Sequence, residues 1–235
     1  LPMIGFGQQT YVPDDNFEAY LEANGMGNGV PNDDYVTTAN INTVTFLDVN
    51  NQNISDITGI EDFINLELLN CWGNHFAYLD VTNILFLEQL YCGSNPLNSI
   101  DLSNNSALKV LQCNYNSITT LDLSNNYQLQ ILDCGASELT TLDLSNNSYL
   151  VDIVCAENPL TSLNLKNGSN VNITQLVTAF CFDLNCIDVD DSVMSAYIWV
   201  GTGFSFEPQH YFSNNCSGTT DIQEHSTNNQ LFRTI

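Results

Sequence analysis

The stretch Leu108-Lys109-Val110-Leu111-Gln112-Cys113-Asn114-Tyr115-Asn116-Ser117-Ile118-Thr119-Thr120-Leu121-Asp122-Leu123-Ser124-Asn125-Asn126 decides the fold, because a close copy of it begins again at Leu129. The spacing is 21 residues, and it extends in both directions. Leu66, Leu87, Leu108, Leu129 and Leu150 form one ladder at that period. Leu69, Leu90, Leu111, Leu132 and Ile153 form a second, and Cys71, Cys92, Cys113, Cys134 and Cys155 a third. A fourth, Asn74, Asn95, Asn116 and Asn158, is broken once by Ser137. Leu79, Ile100, Leu121, Leu142 and Leu163 follow, then Val81, Leu102, Leu123, Leu144 and Leu165. A related unit without the cysteine occupies 44–63.

The unit L-x-x-L-x-C-x-x-N-x-L-x-x-L-D-L-S-N-N is a leucine-rich repeat pattern at the short end of its period range. One such unit cannot bury its leucines alone, so units stack and share a continuous core. The expected fold is a right-handed leucine-rich repeat solenoid of mostly parallel β with turns and few helices. L-x-x-L-x-C begins a strand whose Leu and Cys alternate inward with exposed positions. The Asn is expected to bond the backbone where the chain leaves that strand. L-x-x-L-D-L reads as a second extended segment on the opposite wall, and S-N-N as its turn.

Solenoid ends need caps. Residues 12–22 read as an amphipathic helix that Asp14 or Asp15 can cap, with Phe17, Tyr20 and Leu21 on one face. The Gly/Asn-rich stretch 24–34 lacks calcium-loop ligand spacing and the bidentate Glu. At the other end the repeat loses phase after Asn170, and 186–191 reads as the last strand. Trp199, Phe204, Phe206, Tyr211 and Phe212 supply apolar bulk to close the core. Cys186 and Cys216 bracket that segment and are the disulfide candidates, with Cys181 competing for either place. The cysteine ladder reads as small buried hydrophobes. Equivalent positions in stacked strands lie about 4.8 Å apart with parallel side-chain vectors, which aims them poorly for bridging. The resulting organisation is a signal-peptide remnant over 1–7, an N-terminal helical cap over 8–41, the array over 42–190, a disulfide-containing C-terminal cap over 191–218, and a linker or tail over 219–235.

The chain carries 27 acidic and 3 basic residues in 235, a net charge of −24. A phosphate-binding Lys/Arg footprint is missing, which argues against nucleic acid, and the charge opposes docking on an anionic membrane. No apolar run is long enough for a transmembrane segment. The start, Leu1 to Gln8, reads as the tail of a secretory signal with small Gly5 and Gly7 before a cut. Export would also permit disulfides. None of the familiar hydrolase, zinc-protease, nucleotide or dinucleotide motifs occurs, so no enzyme and no cofactor is expected.

Binding is expected at variable exposed positions on the constant frame. Those flanking the cysteine include Asn70, Tyr91, Gln112 and Asp133 before it, and Trp72, Gly93, Asn114 and Gly135 after it. Trp72, Tyr91 and Tyr115 are expected to form an aromatic cluster, with His75 nearby and Asp133 further along. Such amphipathic rings suit a protein partner or sugar stacking. A second exposed column is Asp80, Asp101, Asp122 and Asp143. Adjacent carboxylates about 5 Å apart repel by about 0.8 kcal/mol in water. Neighbouring Ser and Thr hydroxyls can offset this, and calcium bridging is the alternative. The threonines Thr119, Thr140 and Thr161 also repeat, but Asn98 ends the column, so ice or mineral binding ranks last.

The segment V-P-D-D-N-F-E-A-Y-L-E, the D-I-T-G-I-E-D-F unit at 56–63 and the L-D-L-S-N-N units resemble the secreted leucine-rich repeat proteins of Bacteroidota, which are similar in style to bacterial internalins. The resemblance covers 10–216. It implies a closing cap of the form L-N-C-I-x-V-D-D…C, which 184–191 and Cys216 match. It implies secretion or surface display, a type IX sorting domain reached through a linker such as 219–235, and a binding role with no shared catalytic residue.

Overall fold

The 21-residue ladders become rungs of two parallel sheets. The computed structural model describes residues 7–199 and 201–216. The tail at 219–235 and all but Gly7 of the signal-peptide remnant lie outside the described residues.

The chain opens with β1 (Gln9–Tyr11), α1 (Asp15–Ala23), β2 (Tyr35–Thr37) and α2 (Thr38–Ile41). The repeats then give β3 (Phe46–Asp48), β4 (Leu68–Asn70), β5 (Gln89–Tyr91), β6 (Val110–Gln112), β7 (Ile131–Asp133), β8 (Thr141–Asp143), β9 (Asp152–Val154), β10 (Ser162–Asn164), β11 (Gln175–Val177) and β12 (Cys186–Asp188). The close is α3 (Ser192–Ile198), β13 (Phe204–Ser205) and β14 (Tyr211–Ser213). Strands β3, β4, β5, β6, β7, β9, β11 and β13 lie side by side in one eight-stranded sheet. The opposite wall is a four-stranded sheet of β8, β10, β12 and β14. Two strands follow Cys186–Asp188, one in each sheet, so that segment is not the last rung. The β1–β2 hairpin is antiparallel and was not foreseen from the glycine-rich loop it spans.

Register follows the repeat. Leu69, Leu90, Leu111, Leu132 and Ile153 are direct partners across neighbouring strands, and all are fully buried. Burying one such side chain contributes about 1.5–3 kcal/mol. The cysteines of the third ladder are buried free thiols. Burial pushes each of their pKa values up, so they stay protonated.

The asparagine ladder joins the repeats. Asn95 Nδ2 donates to Cys92 O at 3.2 Å and to Cys71 O of the preceding repeat at 3.1 Å. Asn116 does the same to Cys113 O and Cys92 O, and its Oδ1 accepts from Leu97 N–H at 3.0 Å. Asn158 repeats the pattern with Cys155 O, Cys134 O and Leu139 N–H. At Ser137 the hydroxyl is too short to reach, and its Oγ is buried without a partner. Cys181 takes the Asn place in the next repeat, and its Sγ donates to Cys155 O at 3.3 Å. A second spine runs on the opposite wall. Fully buried Asn126 donates to Leu102 O and Asn105 O, and Asn147 to Leu123 O and Asn126 O. The S-N-N segment is therefore more than a turn, since its second Asn points into the solenoid.

The caps are fastened by carboxylates. Asp14 Oδ1 accepts from Asn16 and Phe17 N–H at the start of α1. Its Oδ2 accepts from Ser55 and Asp56 N–H, tying the helix to the first repeat. Phe17 and Leu21 are buried, with Phe17 stacked on Phe63. At the far end Cys186 and Cys216 are disulfide-bonded, with Cα atoms 5.7 Å apart. Trp199 is buried edge-on against Phe212. His210 Nδ1 accepts from Glu207 N–H, which leaves Nε2 to donate to Cys181 O at 3.2 Å. Burial holds this histidine below its usual range, in keeping with a neutral ring.

Two substitutions test the ladder. Asn158→Ala strands Cys134 O and Leu139 N–H and leaves Cys155 O with only the Cys181 thiol, and should cost about 2–3 kcal/mol in denaturant unfolding. Ser137→Asn completes the ladder and should add about 1 kcal/mol by the same measurement.

Candidate functional site

The eight-stranded sheet carries the exposed residues in rows. Asp48, Asn70, Tyr91, Gln112, Asp133 and Val154 are partners across successive strands, so they form one continuous row. Each is only partly buried. Two residues further on, Trp72, Gly93, Asn114, Gly135 and Ala156 make a second row on the same face.

The frame is bent at the residue that follows. Gly73, Ser94, Tyr115, Ala136, Glu157 and Phe180 all have left-handed backbone, with φ between 48° and 68°. Except at Phe180, their N–H groups still donate across to the next rung, as Ser94 does to Asn114 O and Tyr115 to Gly135 O. The strand alternation ends there. Tyr115 is therefore exposed at the turn and does not line the depression occupied by Trp72 and Tyr91. His75, which follows Asn74, is also exposed past the turn. The expected cluster is thus two rings rather than three.

Trp72 and Tyr91, together with Asn50, Asn70 and Gln112, line a depression of about 290 Å³. A Cβ at Gly93 would fall 2.2 Å from Trp72 Cζ3, so the indole lies where a side chain on the next rung would stand. The same Cβ would meet Asn114 Oδ1 at 2.7 Å, an oxygen that is buried without a partner. Tyr91 Oη donates to Gln89 Oε1 at 2.9 Å, which orients the phenol along its strand. Asn70 Oδ1 accepts from Trp72 N–H at 3.3 Å. The lining is aromatic and amide, chemistry that stacks and hydrogen-bonds.

Asp133 continues the row two rungs beyond Tyr91. Its Oδ1 accepts from Gly135 N–H at 3.1 Å. Burial pushes its carboxyl above the usual range, with the neighbouring Asp152 charge adding to the effect. Burial raises Asp152 as well, and its Oδ1 has no hydrogen-bond partner.

The exposed aspartate column is self-satisfied. Asp80 Oδ1 accepts from Thr82 N–H and Oγ1 at 2.9 and 2.6 Å. Asp101, Asp122 and Asp143 each accept from the N–H two residues on, at 2.9–3.0 Å. Asn164 Nδ2 donates to Asp143 Oδ1 at 3.1 Å where the column ends. These bonds, led by the Thr82 and Ser103 hydroxyls and the Ser124 N–H, hold Asp80, Asp101 and Asp122 below the usual carboxylate range. A different acid group, Asp15, Glu18 and Asp34, brings oxygens within 4.8 Å of one another. Buried Glu18 already accepts from Asp33 and Asp34 N–H, which closes the 24–34 loop.

No protein-family profile and no curated protein matches the chain. Solved structures do. The functional domain of InlJ from Listeria monocytogenes, described as including a cysteine ladder, is 26% identical, with a TM-score of 0.50 over 80% of this chain and 53% of that one. The chain thus spans about half the length of that relative. An internalin, inlF, of the same organism is 22% identical, with a TM-score of 0.60 over 86% and 71% of the two chains. Internalin C2 is 18% identical, with a TM-score of 0.57 over 92% and 95%. These likenesses, with the observed rungs, establish an internalin-like leucine-rich repeat fold.

Two measurements follow. Asp133 is raised in the folded chain, so its charge costs stability at neutral pH and the cost fades as pH falls. Asp133→Asn keeps an acceptor for Gly135 N–H. It should raise Tm by about 1–2 °C at neutral pH, with the gain shrinking toward acid pH. Because Ser and Thr already satisfy the aspartate column, Tm should be the same in EDTA and in added calcium.

Proposed function

We propose that this chain is a non-enzymatic binding module that recognises a protein partner through the strand-borne face around Trp72 and Tyr91. The observation that carries this reading is the depression those two rings share with Asn50, Asn70 and Gln112. The frame beneath spends its leucines and its ladder asparagines on internal contacts. The two rings lie partly buried on its surface, with the remainder facing the depression. Tryptophan and tyrosine are the side chains that most often dominate a binding interface, because each offers a large rigid area with one polar handle.

Secretion or display at an outer cell surface fits this role. Support comes from the Cys186–Cys216 disulfide, which needs an oxidising compartment to persist. Among the described residues no helix is long and apolar enough to cross a membrane. The charge of −24 keeps nucleic acid an unfavourable partner. The Bacteroidota-type export route through a sorting domain stays part of this proposal.

One observation favours a carbohydrate as the alternative ligand. The lining of the depression combines two rings with three neutral amides and no charged side chain, which is sugar-stacking chemistry.

The test is capture from envelope and culture extracts of the source organism with immobilised protein. The reading expects a specific protein held by the parent and lost, by about tenfold or more, from Trp72→Ala/Tyr91→Ala. Equal capture by the double variant overturns the assignment of the face. Binding to a polysaccharide array that depends on the same two rings would favour the glycan.

A further inference from the structure

A second and larger depression lies elsewhere, between the turn that ends the Cys155 repeat and the corresponding turn of the next repeat. It measures about 640 Å³ and is lined by Glu157, Asn158, Pro159, Phe180, Phe182 and Asp183. Two phenyl rings stand out of the surface there, Phe180 57% and Phe182 67% exposed. Their centroids are 6.0 Å apart and their planes meet at 73°, so the rings form a corner. Folding drives phenyl rings inward, so a pair left in water beside a cavity needs a reason.

Phe180 sits at the left-handed turn position, with φ 62°. Gly73, Ser94, Tyr115, Ala136 and Glu157 occupy that place in other repeats, so Tyr115 is the one other bulky residue among them. A bulky residue there is unfavourable, since Cβ crowds the following carbonyl. The turn is nevertheless held, because Glu207 Oε1 accepts from Phe180 N–H at 2.7 Å. Glu207 is itself tied through its own N–H to His210 Nδ1. The cap thus fixes Phe180 in an outward pose.

Two carboxylates, Glu157 and Asp183, line the same depression as the rings. The described lysines do not answer them. Lys109 pairs with Glu88 at 2.7 Å, and Lys166 Nζ donates to Asn214 O at 2.6 Å. Open aromatic faces next to unpaired acids attract a cation, through the ring quadrupole and through charge.

We infer that the corner formed by Phe180 and Phe182, with Glu157 and Asp183, is a second binding site, and that it takes a lysine or arginine side chain presented by a partner protein. It is separate from the Trp72–Tyr91 face and does not depend on it.

The test is a titration of the intact protein with a blocked Ala-Lys-Ala tripeptide, read by the ring-proton NMR shifts of Phe180 and Phe182. Blocked Ala-Gln-Ala is the control. The expected result is saturable millimolar binding of the lysine peptide that weakens about fivefold or more in Phe182→Leu and in Phe180→Asn. Neither change alters net charge, so diffuse attraction to an acidic protein stays constant. Phe180→Asn also suits the left-handed turn, so its Tm should hold or rise, which separates lost binding from lost folding. Equal binding by the glutamine peptide, undiminished binding by both variants, or no shift in the parent overturns the proposal. So does a shift of the two ring signals in Arg233→Gln without peptide, which would make the chain's own arginine the occupant.

Discussion

The buried carbonyl of each ladder cysteine needs a donor, and in this chain an asparagine amide supplies it. Cys92 O accepts from Asn95 within its own repeat and from Asn116 in the next. The same amide that closes one turn therefore stitches two repeats together. An unmet carbonyl in such a place costs about 1–3 kcal/mol, and the cost would recur at every rung. The ladder explains why the spacing is so strict. An insertion of one residue would pull the amide away from both carbonyls and turn the strand's leucines outward.

Most of the fold is legible in the sequence because each ladder has a single physical duty. Leucine at a 21-residue spacing means a shared core, and the spacing alone marks Asn74, Asn95 and Asn116 as turn-closing amides. The second spine was harder to see. Asn105, Asn126 and Asn147 repeat just as strictly, but S-N-N is also what a solvated turn looks like. Their burial depends on how the opposite wall closes, which no local pattern states. The β1–β2 hairpin was hidden for a similar reason, since its strands are three residues long and separated by a helix.

The candidate site is legible in part. Trp72 and Tyr91 follow from strand alternation, and they do line one depression. Tyr115 stands apart from them because strand alternation stops at the left-handed turn it occupies. A Gly at 73 and a Ser at 94 were the available signal, since small residues mark such positions. The corner at Phe180 and Phe182 left no such signal, because the repeat loses its 21-residue phase just before it. The missing cysteine at Thr178 and the Cys181 that replaces an asparagine both belong to that irregular stretch.

The picture that results is a rigid frame with chemistry laid on it. The frame is leucine inside and asparagine at both walls, and its exposed rows are free to differ from rung to rung. The most direct test of that separation is residue-level amide hydrogen exchange on the parent, Asn95→Ala and Trp72→Ala/Tyr91→Ala. The account expects Asn95→Ala to lose protection in β4 and β5 together, because the amide serves both of those repeats. It expects the ring variant to keep parental protection throughout. Loss of protection in the ring variant, or loss confined to one repeat in Asn95→Ala, would contradict it.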